Sequence, residues 1–140
     1  MKFRFDGYNH LVRLEKGELL MAELTKLIKE EKITGAWVSG LGAAIWAELG
    51  YYDLENKQYK WKRLDQLLEI TSLQGNIAWN DSEPVIHIHG TFSDEEHRAI
   101  GGHIKELEVG GTCELLLHRW YQPDLKRRDD PNTGLTLLDL

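Results

Sequence analysis

The sequence predicts an α+β protein in which strands dominate and one long helix covers a face of the sheet. Two patterns carry that expectation. Through most of the chain apolar and polar residues alternate with the two-residue period of a strand, and turn residues punctuate the runs. From Glu18 to Lys32 the period changes, and Leu19, Leu20, Leu24, Leu27 and Ile28 recur at helical spacing. A hydrophobic fraction of 41% and a charged fraction of 29% are ordinary for a globular protein.

Taken in order, Lys2 to Phe5 and His10 to Leu14 read as two strands joined by the turn Asp6-Gly7. The helix follows, with Glu23, Lys26, Lys29 and Glu30 on its polar face. Ile33 to Val38 reads as a buried strand that Gly40-Leu41-Gly42 bends, and Ile45 to Asp53 as the next. Gln58 to Arg63 forms another, with Tyr59 and Trp61 on one side and Lys60 and Lys62 on the other. Glu69 to Trp79, Pro84 to Phe92 and Thr112 to Trp120 supply three more, and Ile100 to Glu106 is expected to hold a short helix or turn. In the tail, residues 122–140, Leu135, Leu137, Leu138 and Leu140 predict docking on the domain itself or on a neighbouring subunit.

A chain of 140 residues fits one domain, 1–140, with its own core. Its single cysteine, Cys113, forbids an intrachain disulfide framework, in keeping with a reducing compartment. Met1 to Asp6 lacks the apolar core of a signal peptide. The most apolar stretch, Gly35 to Leu49, is too short and glycine-broken for a spanning helix, which needs about 20 apolar residues. The expected location is cytoplasmic, with no membrane partner. The net charge of −6 and pI near 5.5 repel phosphate, so DNA is a partner that the charge does not support.

Three histidines carry the chemistry. His87 and His89 lie two apart on an expected strand, so both point to one face, and their apolar neighbours predict substantial burial. His103 follows Gly101-Gly102, a pair that permits a tight bend. Two imidazoles on a strand and a third on an adjoining loop offer three corners of a tetrahedral site with an open position, a donor set that suits zinc. Nickel, copper and iron accept imidazole too. The competing reading is a polar seam in which the histidines bond to carboxylates or carbonyls. Glu69 and Glu114 stand in otherwise apolar strands, where an unpaired carboxylate is costly. Either orients a ligand imidazole from behind, accepts a proton from metal-bound water, pairs with Arg or Lys, or is exposed at a strand end. His97 sits in a charged loop, and His10 and His118 are simple strand residues.

Other motifs fall away. Gly40-Leu41-Gly42 begins like a dinucleotide fingerprint but lacks the third small residue and the following helix. His87-Ile88-His89 resembles a first cupin motif with no second one downstream, which leaves cupin a distant alternative. Cys113, beside Glu114 and before Leu115-Leu116-Leu117, reads as an inert core thiol. Lys60-Trp61-Lys62-Arg63 alone mixes aromatic and basic residues as base-stacking surfaces do, and a solvated strand face accounts for it.

Three segments in order resemble the PPC domain, conserved between plants and prokaryotes. They are Val38-Ser39-Gly40-Leu41-Gly42 with Ala47 to Gly50, then Leu68 to Ile77, then Pro84 to Thr91 continuing to Gly101-Gly102-His103-Ile104 and Thr112-Cys113-Glu114. The resemblance implies a twisted, mostly antiparallel sheet with helices, a homotrimer, and a divalent transition metal, zinc first, at His87, His89 and His103. In plant members DNA binding resides in Arg-Gly-Arg-Pro hooks, and no such segment occurs in these residues. Three functions compete: a metal-binding oligomeric module of undetermined role, a DNA-associated regulator, and a metal-free assembly scaffold. No catalytic residue is assigned.

Overall fold

A computed structural model describes residues 1–122 and 124–140. Among the described residues the chain forms nine strands and one helix: β1 Lys2–Phe5, β2 Asn9–Glu15, α1 Leu20–Glu30, β3 Ala36–Asp53, β4 Gln58–Leu64, β5 Leu68–Asn80, β6 Glu83–Ser93, β7 Ala99–Arg119, β8 Lys126–Asp130 and β9 Leu135–Asp139. All pairings are antiparallel except β5 with β8. The ladder runs β1-β2-β7-β3-β5-β8-β9, with β4 on β3 and β6 bridging β5 and β7. Because β3, β5, β6 and β7 each pair with the next, and β7 with β3, these four strands close a ring.

Two long strands make that closure possible. β7 pairs with β3 along both halves, while its first part also pairs with β6 and its last part with β2. Bulges near Gly42, Ala44 and Leu49 let the strands turn without breaking. The bend expected at Gly40-Leu41-Gly42 is therefore a bulge inside one continuous strand, not a break between two. A Cβ at Gly42 would come within 2.7 Å of the Cys113 Cα, so only glycine permits this approach.

The helix is shorter than its sequence pattern. It spans 11 residues and does not blanket the sheet. Leu19 adopts extended dihedrals and bridges to Glu108, drawing the chain into the sheet just before the helix starts. At the other end Lys32 turns to φ 51°. No side chain caps the N-terminus, but Glu106 Oε1 accepts from the Met21 N–H at 2.8 Å and satisfies one free donor. Leu20, Leu24, Leu27 and Ile28 are all fully buried. At roughly 1.5–3 kcal/mol for each buried aliphatic side chain, their burial outweighs a missing cap, which costs about 1 kcal/mol.

The short helix expected over Ile100 to Glu106 is instead strand. Gly102 and Gly101 sit opposite Gly90 and Thr91, and the ladder continues on the other side into β3. Two glycines side by side give no helical preference, and pairing on both edges decides the conformation. Cys113 is buried, and burial, then Glu114, pushes its thiol up to about 12. The tail lies against its own sheet: β8 and β9 pair with each other, and Lys126 pairs with Trp79 of β5. Residue 123 of that tail is outside the described residues. No helix among the described residues is long and apolar enough to cross a membrane.

Candidate metal centre

From His87 to Phe92 strand β6 alternates. Ile88, Gly90 and Phe92 point into the core, and His87 and His89 point to the other face. The substantial burial expected of the segment holds for Ile88, Gly90 and Phe92, while His87 is half-buried and His89 exposed. Of their apolar neighbours Ile88 is buried on the inner face, whereas Val85 shares the face of His87 and lines the same cleft. His103 stands mid-strand on β7, not on a loop, and pairs directly with His89 across the ladder. That register supplies the third imidazole.

The three rings form a nearly equilateral cluster, with centroids 5.1, 5.2 and 5.3 Å apart. One donor nitrogen from each lies within 4.8 Å of the others. His87 Nε2 and His89 Nε2 are 3.2 Å apart. Nitrogens at two corners of a zinc tetrahedron are separated by about 3.3 Å, given Zn–N bonds of roughly 2.0–2.1 Å. His103 Nδ1 is buried with no hydrogen-bond partner among the described residues, a cost that a ligand at that atom would remove. The residues fit a three-imidazole metal site on these two grounds.

Surrounding side chains fix the rings. Tyr59 of β4 lies 4.9 Å from His103 by ring centroids and stacks on Trp61 at 4.6 Å. Arg127 of β8 donates through Nη2 to Asn76 Oδ1 at 2.7 Å, and its Nη2 lies 3.3 Å from His87 Nδ1. A guanidinium only donates, so His87 Nδ1 accepts and the ring proton sits on Nε2, aimed at His89.

Glu69 and Glu114 are not at this cluster. Both are exposed; Glu69 stands opposite Ser93, and Glu114 opposite Arg13 and Leu41. Their places in apolar strands reflect the outer face of each strand. His97, at φ 61°, is exposed in the turn held by Asp94, and His118 Nδ1 pairs with Asn9 Oδ1 at 2.7 Å. His10 is fully buried and stacks on Phe5. Sequence reasoning missed Arg127 and Asn76, gave Tyr59 no role beyond its side of the strand, and read Lys60-Trp61-Lys62-Arg63 as a solvated strand face. The available signal was Asn76 itself, an amide within the buried run Gly75 to Ala78.

Burial, then the neighbouring His87, His89 and Arg127, lowers His103 to about 4. Burial, then Arg127 and His89, lowers His87 as well. An unfolded imidazole titrating near 6.5 takes a proton before the folded ring does, so acid favours unfolding. In metal-free protein this contribution is complete above about pH 6.5 and lost as pH falls toward 4. Urea midpoints of chelator-treated wild type and His103→Gln, at about pH 7.5 and about pH 5, check the sign. The wild type is expected to lose more on acidification than the variant; an equal loss removes the effect.

Fold and cluster together define a class: a small sheet protein with a ring-closed core and an imidazole triad on its outer surface. The chain belongs to the Plants and Prokaryotes Conserved (PCC) domain family, whose model matches residues 1–120. Among solved structures it is similar to a metal-containing protein from Archaeoglobus fulgidus, at 37% identity and TM-score 0.89 over 100% of both chains. A plant- and prokaryote-conserved (PPC) protein from Pyrococcus horikoshii is 32% identical with TM-score 0.90, over 99% of this chain and 95% of that one. A candidate DNA-binding protein from Ralstonia eutropha JMP134 is 33% identical with TM-score 0.92, over 99% and 96%. No curated protein matches the chain.

Proposed function

We propose that this PCC-family protein binds a divalent transition metal, zinc in preference, through His87, His89 and His103. The observation that carries the reading is the donor cluster, with its 3.2 Å separation between two Nε2 atoms and the partnerless nitrogen of His103. The metal-containing relative from Archaeoglobus supports it. Three neutral imidazoles leave a fourth tetrahedral position for a water or ligand, where a bound zinc supplies Lewis acidity. In the metal-free protein Arg127 donates to Asn76 Oδ1 and His87 Nδ1, while Tyr59 packs against His103. Elemental mass spectrometry on untagged protein tests the reading: near one metal per chain is expected, and none after incubation with zinc overturns it. That second result would favour the scaffold, in which the histidines are only polar groups.

The protein acts as a homotrimer on this reading, as the family resemblance implied. Leu11, Trp37, Leu41 and Leu116 are exposed on neighbouring strands β2, β3 and β7, an apolar surface suited to a second copy. The names of some relatives favour a DNA-associated role, against a net charge of −6. Sedimentation velocity with and without a fluorescent DNA duplex at low salt decides both points. A mass three times that of one chain and no co-sedimenting duplex are expected. A single-chain mass removes the trimer, and a co-sedimenting duplex restores DNA.

A further inference from the structure

The strongest unexplained group outside the histidines is Arg127. It is 9% exposed, yet it has no carboxylate partner among the described residues. Its acceptors are the Thr136 carbonyl at 2.6 Å, Asn76 Oδ1 and His87 Nδ1, all formally neutral. Its Nε is buried and bonded to nothing among the described residues. A charge removed from water is ordinarily paired, since hydrogen bonds to neutral groups recover only part of its hydration.

Arg127 lines the same cleft as His87 and His103, a space of about 620 Å³. No Asp or Glu is among the described residues that line it, although the chain as a whole is acidic. Its other walls are largely apolar, with Tyr59, Trp61, Ile86, Leu135 and Leu137. Lys57, which donates to the Pro131 carbonyl, is the second cation in its lining. Metal loading sharpens the imbalance in two ways. A divalent cation adds positive charge that neutral imidazoles do not cancel. A metal at His87 Nε2 also requires the ring proton to sit on Nδ1, which then no longer accepts from Arg127. The guanidinium is left with a second N–H seeking an acceptor.

We propose that this cleft binds a small organic carboxylate, its anionic head on Arg127 and its apolar body against the Tyr59–Trp61 and Leu135–Leu137 walls. The inference rests on the metal reading and deepens it by naming the ligand class. A planar guanidinium fork matches a carboxylate, and the apolar walls favour an acid with a hydrocarbon body over bare phosphate. The C-terminal hairpin β8–β9, which carries Arg127, thereby becomes part of the site.

Isothermal titration of zinc-loaded protein with benzoate, 4-methylpentanoate, benzamide and inorganic phosphate tests it. At least one of the two acids is expected to bind in the millimolar range or tighter. Benzamide, which has the same body without the charge, and phosphate are each expected to bind at least about tenfold more weakly. Compared at equal zinc occupancy, Arg127→Met should lose about tenfold or more in acid affinity, and Arg127→Lys should recover part of the loss. The benzamide comparison needs no variant, so it stands if Arg127→Met fails to fold. Zinc at one per chain with neither acid bound at about 10 mM overturns the carboxylate proposal and leaves the metal reading intact. Equal binding of benzamide and benzoate overturns it too, as does tighter binding of phosphate. Absence of zinc in the wild type overturns both.

Discussion

Replacing His87 and His89 together by alanine is expected to lower bound metal from near one per chain to less than a tenth. A structural zinc site in a peptide contributes apparent free energies of about 10–16 kcal/mol. Two of the three protein donors would carry more than half of the protein's share, so affinity should fall by roughly ten-thousandfold or more. The effect should also appear in stability, because a ligand that binds only the folded state raises its melting point. Zinc at about a thousand times its Kd adds about 4 kcal/mol, roughly 10 °C for a chain of this size. Wild type should gain that shift on zinc addition, and the double variant should not. Both positions face outward on β6, so their loss opens no cavity in the core. A variant that keeps stoichiometric metal would show that the cluster is only a polar seam.

Phe92→Ala should produce the opposite dissociation. Phe92 lies on the same strand as the histidines, is fully buried, and points to the inner face. Truncating a buried Phe removes both transfer free energy and packing, at a cost of about 3–5 kcal/mol. Against a typical total of about 5–15 kcal/mol, that is a large fraction, and it exceeds any surface ion pair in the molecule. Denaturant titration should show a much lower midpoint with an unchanged slope. The surviving folded protein should hold metal at the wild-type stoichiometry, because the backbone of β6 stays pinned between β5 and β7. A loss below about 1 kcal/mol, or a loss of metal at intact stability, would contradict this division of the strand into core and site faces.

Arg127 connects these results to the C-terminal hairpin. It reaches Asn76 on β5 and His87 on β6, so the tail is tied to the two strands beneath the cluster. Asn76 is buried at 7% exposure although it faces the outer side, and the hairpin is what covers it. A polar amide inside an otherwise apolar run thus marks where a distant segment docks.

The sequence by itself determined the strand-rich class, the helix with its buried stripe of Leu20, Leu24, Leu27 and Ile28, and the shared face of His87 and His89. It also placed the chain beside the PPC domain. These are local consequences of period: 3.6 residues for a helix and two for a strand decide which side chains point together. Only the tertiary structure decided that β3 and β7 run unbroken through glycine-rich bulges, and that the Gly101-Gly102 pair lies in a ladder instead of a bend. It also placed His103 opposite His89, and left Glu69 and Glu114 on exposed positions away from the cluster. It delivered Arg127 from the tail. Each of these depends on register between strands far apart in the chain. Period says which face a residue occupies, whereas the hydrogen-bond ladder and the packing of distant segments decide what it meets there.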